Sequence, residues 1–230
     1  MKLPYICFRD SVLFPKTSGN IFVDRKSSLH ALLLAETQFN KQLVLVTQKK
    51  TQQDRPASKA DLFGTGTLAR MSSLIRLQDG SVQVCFEGLK KFKIEKFDFT
   101  KTFLVTGQVI QNKPKNPKIM DPAEKMDFVD LFVKAKPFVV FDEDIHWIQD
   151  WLLLKNESQL GDAIQARLKY TNTFGPQSRP WEKKGLKETK LINQQIFLMQ
   201  MILEANSPTT RLEKIRTYFL NEIKTGLLKR

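Results

Sequence analysis

The residue types most often used in catalysis and metal binding are few in this chain, and their spacing matches no known site. The only cysteines are Cys7 and Cys85, and the only histidines are His30 and His146; they do not have metal-ligand spacing. No glycine-rich loop leads into Lys-Ser or Lys-Thr, as a phosphate-binding loop requires, and no serine lies in a nucleophile-elbow sequence. The acidic run 142–144 begins a predicted helix, where carboxylates favour the helix dipole. The sequence therefore predicts no enzyme, no cofactor and no metal, and favours a binding function.

The compartment is predicted from the cysteines and the amino terminus. Both cysteines fall in predicted strands, and we expect free thiols rather than a disulfide. Lys2-Leu3-Pro4 leads into a mixed strand instead of an apolar helix, so the sequence has no signal-peptide pattern. No apolar run approaches the length of a membrane span. The expectation is a cytoplasmic protein with no membrane contact.

The clearest local structural signal lies between Gly64 and Ile94. Asp79-Gly80 separates two runs in which apolar and polar residues alternate, which predicts a β-hairpin with a two-residue turn. Closing the hairpin there sets the register of the two strands, and a one-residue slip would move every side chain to the other face. The pairs expected on the apolar face are Leu77–Val82, Ile75–Val84 and Ser73–Phe86.

The hairpin belongs to a predicted β-rich module, 1–111, that holds one short helix, Leu29–Phe39. Ser27 or Ser28 is the expected N-cap of this helix, and Leu29, Leu32 and Leu33 are its expected apolar stripe. The other predicted strands cover residues 3–8, 20–23, 42–48, 91–99 and 103–111.

A polar connector, 112–118, with two prolines and three lysines separates this module from a helical part. Over 119–230 the hydrophobic period changes from 2 to 3.6, which predicts a carboxy-terminal helical bundle and an α+β fold. Expected helices begin at Asp121-Pro122, Asp142, Ser158, Lys187 and Ser207-Pro208, several of them with capping residues.

The final helix carries an apolar stripe that suits either a core or a partner surface. Such stripes are more often core. The stripe of this helix is also the candidate for self-association into a homo-oligomer. Its residues are Leu212, Ile215, Phe219 and Ile223.

Five short motifs occur in the order in which a known family has them. They are LP with FRDxVxFP at 3–15, FVxRxSS at 22–28, VxQK at 46–49, DLxxxGT at 61–67, and RLxDG with VxxEG at 76–88. Together they resemble the amino-terminal domain of the ATP-dependent protease Lon. The resemblance covers nearly the whole chain and is strongest over 1–111. Lys16 and Asn20 stand where this family usually has glycine and proline.

The resemblance implies a fold and a function. The fold would be a PUA-like pseudo-barrel followed by an α-helical bundle. The function would be non-catalytic recognition of unfolded or degron-bearing proteins, with a contribution to assembly of the protease. The ATPase and the Ser-Lys peptidase of that family lie downstream of the region that this chain resembles. Partners would be damaged protein substrates and those downstream domains.

Recognition of unfolded chains requires exposed apolar surface with a polar rim. The chain has 17 Phe and 3 Trp, more aromatic residues than a β-module and a small bundle need to bury. Phe14, Ile21 and Phe22 lie beside the two departures from the family pattern and are the candidate substrate contacts. The alternative for each of them is burial in the core.

The charge distribution supports a second hypothesis, a nucleic-acid-binding module. Residues 1–118 hold 20 of the 37 Lys and Arg residues but 9 of the 24 acidic residues, a net charge of +11. Basic β-rich domains commonly bind phosphate backbones. However, the lysines are scattered, and the aromatic residues lack the spacing of an RNA-binding sheet. We therefore favour a solvated basic face over a nucleic-acid site.

Overall fold

A computed structural model of the chain describes 1–50, 56, 58–78, 80–99, 103–110, 118–135, 154, 156, 159–160, 162, 164 and 186–227. The chain forms two compact units, each built from two stretches of sequence. Unit 1 comprises Met1–Gln111 and Tyr170–Leu203, and unit 2 comprises Asn112–Lys169 and Glu204–Arg230.

Unit 1 contains a six-stranded mixed sheet that closes on itself. Its strands are β1 (Lys2–Phe8), β2 (Ser18–Val23), β3 (Gln42–Thr47), β4 (Thr65–Arg76), β5 (Val82–Phe97) and β6 (Leu104–Val109). The order is β2-β5-β4-β3-β1-β6, and β5 also pairs with β6. Five strands therefore form a closed circuit, with β2 as an extra strand on β5. The β1–β3 pair is parallel, and the other pairs are antiparallel.

The strands of the circuit separate two hydrophobic clusters. One cluster draws residues from all five circuit strands, including Tyr5, Phe92 and Val105. The other combines strand residues such as Phe86 with residues of the first helix. Successive residues of β3 alternate between the two clusters, so both faces of this strand are buried. This explains why its sequence is a continuous apolar run rather than an alternating one.

The first helix, α1 (Lys26–Gln38), begins earlier than predicted. Its N-cap residue is Arg25, which makes no side-chain capping hydrogen bond, so the prediction of a Ser27 or Ser28 cap is wrong. Leu33, expected on the apolar stripe, is 53% exposed, whereas Ala31 and Ala35 are fully buried. The small alanine side chains let this face of the helix approach the strands closely, and that moves the buried stripe away from Leu33.

The β4–β5 hairpin forms, but its register differs by one residue from the predicted one. Ile75 therefore leaves the buried face and is 56% exposed, while Leu74 packs against the core in its place. In addition, β5 continues without interruption from the hairpin through the predicted 91–99 strand. The observed pairs are Arg76–Val82, Ile75–Gln83 and Leu74–Val84.

The hairpin loop explains this shift. The Leu77 N–H donates to the Ser81 carbonyl oxygen (2.9 Å), and the Gly80 N–H donates to the Leu77 carbonyl oxygen (3.1 Å). Gly80 has φ +80°, a left-handed conformation that glycine adopts without strain. The loop is therefore three residues long and ends in a left-handed glycine, the next most common hairpin loop after the two-residue turn.

The segment between β1 and β2 is held by residues of the motifs found in the sequence. The Thr47 hydroxyl donates to the Ser11 carbonyl oxygen (2.6 Å). The Thr67 hydroxyl donates to the Leu13 carbonyl oxygen (2.5 Å). The Lys16 N–H donates to the Gly88 carbonyl oxygen (2.7 Å), and the Gly88 N–H donates to the Thr17 carbonyl oxygen (2.8 Å). Four of the five motifs thus meet around one buried segment and serve the fold.

A second helix of unit 1, α3 (Leu186–Glu204), was predicted as part of the carboxy-terminal bundle. The structure groups its residues up to Leu203 with the β-rich unit instead. The Gln200 side chain is buried and donates to the Thr65 carbonyl oxygen (2.8 Å). An amphipathic stripe predicts that a helix is buried but not which element covers it, and this is why the sequence misplaced α3.

Unit 2 contains α2 (Pro122–Ala135) and α4 (Pro208–Leu227), which pack against each other. Both predicted N-caps are confirmed: the Asp121 carboxylate accepts from the Ala123 N–H (2.7 Å) and the Ser207 hydroxyl oxygen accepts from the Thr210 N–H (3.1 Å). An ion pair at 2.6 Å joins Arg211 of α4 to Asp162.

Several predictions lie outside the described residues. They are the connector from 112 to 117, the helix from Asp142, and most of the helix from Ser158. Among the helices that the structure describes, none has the length and apolar character needed to cross a bilayer.

Candidate functional site

Two of the three predicted substrate contacts belong to the core. Phe14 is 1% exposed and Ile21 is 3% exposed, against the prediction that they are exposed. Phe14 lies in the segment that Thr67 and Gly88 hold, and Ile21 pairs with Val84 on the inner face of the sheet. Phe22 is half-buried and keeps part of its ring at the surface.

The stripe predicted for self-association is used inside unit 2. Leu212, Ile215 and Phe219 are buried, and Ile223 is half-buried. The Phe219 ring makes edge contacts with Phe132 of α2, with ring centroids 5.8 Å apart. Leu212, Ile215 and Phe219 therefore belong to the core of unit 2.

An open cleft of about 290 Å³ lies in unit 1, where β1, the start of α1 and the ends of β5 and β6 come together. We call it the β1–α1 cleft. Its size is near the lower end of the ~300–1,000 Å³ range of ligand pockets. None of the described residues that line it is acidic. They are Tyr5, Cys7, Arg25, Ser27, Ser28, Pro56, Phe99 and Phe103.

Two phenylalanines line the cleft, and each ring packs against another aromatic side chain; we call them the apolar wall. Phe99 is 39% exposed and stacks on Phe97, with ring centroids 5.7 Å apart. Phe103 packs edge-on to His30 (6.2 Å). Its backbone has φ +46°, an uncommon conformation for a bulky residue, and its carbonyl oxygen accepts from the Tyr5 N–H (3.1 Å). The exposed ring of Phe99 and the half-buried ring of Phe103 are thus held in place before any ligand arrives.

The lining residues at the start of α1, Arg25, Ser27 and Ser28, are polar and include one cation; we call them the polar wall. Arg25 donates to the Gln48 side-chain oxygen (3.2 Å) and makes no ion pair within the described part of the chain. The first turn of α1 contains no acidic residue. Its first helical hydrogen bond runs from the Leu29 N–H to the Arg25 carbonyl oxygen (2.9 Å). The preceding N–H groups, which include those of Ser27 and Ser28, are the ones a helix leaves without a helical acceptor.

Two residues of β1 that line the cleft, Tyr5 and Cys7, resist ionisation. Burial raises the pKa of the Cys7 thiol far above its ordinary value. Burial, with smaller contributions from Cys7 and Asp98, does the same to the pKa of the Tyr5 hydroxyl. Both side chains are neutral at physiological pH. Among the described residues, no three His, Cys, Asp or Glu side chains are grouped so as to hold a metal.

The raised pKa of Cys7 predicts a thiol that alkylates slowly. Only the thiolate reacts, and a thiol in an unfolded chain ionises near pH 8.5. At pH 8.5 we expect iodoacetamide to modify Cys7 in the folded chain at least about tenfold more slowly than in urea. Peptide mass spectrometry over time measures both rates. Equal rates in the two states would contradict the raised pKa of the Cys7 thiol.

The sequence analysis did not predict this cleft as a binding site. Arg25, Ser27 and Ser28 were singled out as members of a family motif, without a role in binding. Phe99 and Phe103 are about 75 residues further along the chain, and no local pattern links them to α1. The positive φ of Phe103 depends on the tertiary structure and has no sequence signal.

The chain is similar to a known protein family and to several of its members. Residues 2–172 match the family described as the ATP-dependent protease La (LON) substrate-binding domain. The Lon protease of Buchnera aphidicola subsp. Baizongia pistaciae is 27% identical over 246 residues, covering 100% of this chain and 30% of that protein. The Lon protease of Xanthomonas oryzae pv. oryzae is 38% identical over 96 residues, covering 42% of this chain and 11% of that protein.

Two solved structures share the fold. The Lon N-terminal domain protein from Xanthomonas campestris aligns with a TM-score of 0.50 and 17% identity, over 94% of this chain and 96% of that chain. The N-terminal domain of Mycobacterium avium complex Lon protease aligns with a TM-score of 0.53 and 15% identity, over 95% of this chain and 98% of that chain. The chain spans less than a third of the length of the curated relatives it matches. It belongs to the family of Lon protease substrate-binding domains.

Proposed function

We propose that this chain is the non-catalytic recognition part of a Lon-type protease and that it binds unfolded or degron-bearing polypeptides. Its membership of a substrate-binding family supports this proposal. The observation that carries it is the β1–α1 cleft, which is lined by the exposed Phe99, the half-buried Phe103 and polar residues of α1. An apolar surface with a polar rim suits the apolar side chains that an unfolded protein exposes and a folded one hides.

The proposal extends to the fold and to the rest of the protease. The closed circuit of unit 1 would be a PUA-like pseudo-barrel, and the helices of unit 2 would be part of an α-helical bundle. The relatives are about three times as long as this chain, so ATP hydrolysis and peptide cleavage would be supplied by other domains in the cytoplasm. The chain would deliver substrates to those domains and contribute to their assembly.

A direct test is fluorescence anisotropy with an unfolded polypeptide, the same polypeptide folded, and a short DNA duplex, at low and physiological salt. We expect the chain to bind the unfolded probe, with weak dependence on salt because apolar contacts dominate. Phe99→Ser should weaken this binding about tenfold, since a buried aromatic contact is worth ~1–2 kcal/mol at an interface. Phe197→Ser, at a ring of unit 1 that is 56% exposed, is the matched control and should change it little.

The same experiment tests the nucleic-acid alternative. Exposed lysines on β5, at 90, 93 and 96, form the kind of surface that binds phosphates without sequence preference. Tight binding of the duplex that collapses as salt rises would make this basic surface the functional one. That outcome, with no binding of the unfolded probe, would overturn the proposed function.

A further inference from the structure

We propose that the β1–α1 cleft binds the carboxy-terminal residue of a polypeptide, with its free carboxylate at the start of α1 and its apolar side chain against Phe99 and Phe103. This inference rests on the proposed function, because it specifies which part of a substrate polypeptide the site recognises. It follows from the groups that the polar wall leaves without partners, from the charge of that wall and from the shape of the apolar wall.

The polar wall contains donors that lack acceptors. Ser28 is 7% exposed and lines the cleft, and its hydroxyl has no hydrogen-bond partner among the described residues. The Ser28 hydroxyl oxygen is not among the fully buried unpartnered atoms, so it faces the open cleft and can donate to a ligand there. The backbone N–H groups of Lys26, Ser27 and Ser28 likewise have no acceptor in the described part of the chain. One ligand with several acceptor oxygens would satisfy this set.

The charge of the wall selects an anion. The Arg25 guanidinium donates only to a neutral amide, Gln48, and can still pair with a carboxylate. The amino terminus of a 13-residue helix adds the positive end of its dipole. The first turn contains no carboxylate that would compete, and neither does the described lining of the cleft.

The apolar wall and the volume identify what the anion is attached to. Phe99 and Phe103 present ring surface next to the polar wall, so a bare phosphate or sulfate would leave this surface uncovered. About 290 Å³ holds one large side chain with its carboxylate but not a long segment of chain. An internal Asp or Glu would bring chain on both sides of it into the cleft, whereas a terminal residue brings chain on one side only. The carboxyl end of an unfolded polypeptide meets all three conditions.

The test uses the full 230-residue chain and a fluorescent ten-residue peptide that ends in Phe. The peptide is prepared with a free carboxylate and as the carboxy-terminal amide. We expect the free acid to bind at least about tenfold more tightly, which is the typical effect of a charge-assisted hydrogen bond. Arg25→Gln should remove that difference, and Arg25→Lys, which keeps the charge, should retain part of it. Arg76→Gln is the matched control at an exposed arginine of the hairpin and should leave both affinities unchanged.

The possible outcomes separate this inference from the proposed function. Equal affinities for acid and amide would overturn the inference, as would an equal loss in Arg25→Gln and Arg76→Gln, which would indicate diffuse charge. If an unfolded protein still binds in either case, the proposed function stands without the terminal-residue site. If neither the peptides nor an unfolded protein bind, both fail. Circular dichroism melts of each variant establish that the fold is retained.

Discussion

Replacing Gly88 by alanine is expected to lower the free energy of unfolding by about 3 kcal/mol. A Cβ atom at this position would lie 2.1 Å from the Phe14 carbonyl oxygen and 2.9 Å from its carbonyl carbon. Both are backbone atoms, so no side-chain rotation relieves the overlap. The backbone itself has to move, and it is held by the hydrogen bonds between Gly88 and Lys16 and Thr17.

The matched control for this prediction is Gly64→Ala. No atom lies within 4 Å of a Cβ built at Gly64, and its φ is not in the left-handed region. We expect a change within about 0.5 kcal/mol. Urea unfolding followed by circular dichroism compares the two variants under identical conditions. If Gly88→Ala were as stable as Gly64→Ala, the close crossing of the Phe14 segment over β5 would be incorrect.

Gly88 also shows how a sequence motif and a functional site differ. The Glu87-Gly88 pair, Thr67 and the Phe14-Pro15 pair all helped to identify the family from sequence. In the structure they meet around one buried segment and fix its path. Phe14 was a candidate substrate contact because it lies beside the departures from the family pattern at Lys16 and Asn20. It is core because the segment that contains it is buried and held by Thr67 and Gly88.

The features that the sequence predicted correctly depend on local interactions. The N-caps at Asp121 and Ser207 involve neighbours two or three residues away. The strands of unit 1 follow from short runs of alternating or continuous apolar residues, and most begin or end within two residues of the predicted positions. Such signals are contained in a window of a few residues, which is why they can be seen without a structure.

The features that the sequence missed depend on tertiary packing. Asp-Gly is compatible with a two-residue turn or with a three-residue loop whose last residue is left-handed, and packing of Val84 and Leu74 selects the second. The association of α3 with unit 1 involves Gln200 and Thr65, which are 135 residues apart. The β1–α1 cleft likewise joins three distant parts of the chain, so its apolar and polar walls could not be paired in advance.

In unit 2, Phe219→Ala is expected to lower the free energy of unfolding by about 4 kcal/mol. Phe219 is fully buried, and its ring contacts Phe128 and Phe132 edge-on, with centroids 6.4 and 5.8 Å away. Truncation removes the transfer free energy of the ring and leaves a cavity between α2 and α4. It also removes both aromatic contacts, each worth ~0.5–1.5 kcal/mol beyond the buried area.

The neighbouring residue, Leu220, provides the control, because it is 51% exposed on the same helix. Leu220→Ala should change the free energy of unfolding by no more than about 0.5 kcal/mol.

Hydrogen exchange of peptides from α2 and α4 locates the effect of Phe219→Ala. In Phe219→Ala we expect faster exchange in both helices, since each loses its main contact with the other, while peptides from β3 and β4 of unit 1 should exchange as before. Unchanged exchange in α2 would show that Phe219 is not what holds the two helices together, and its stripe would then be available for self-association as the sequence first suggested.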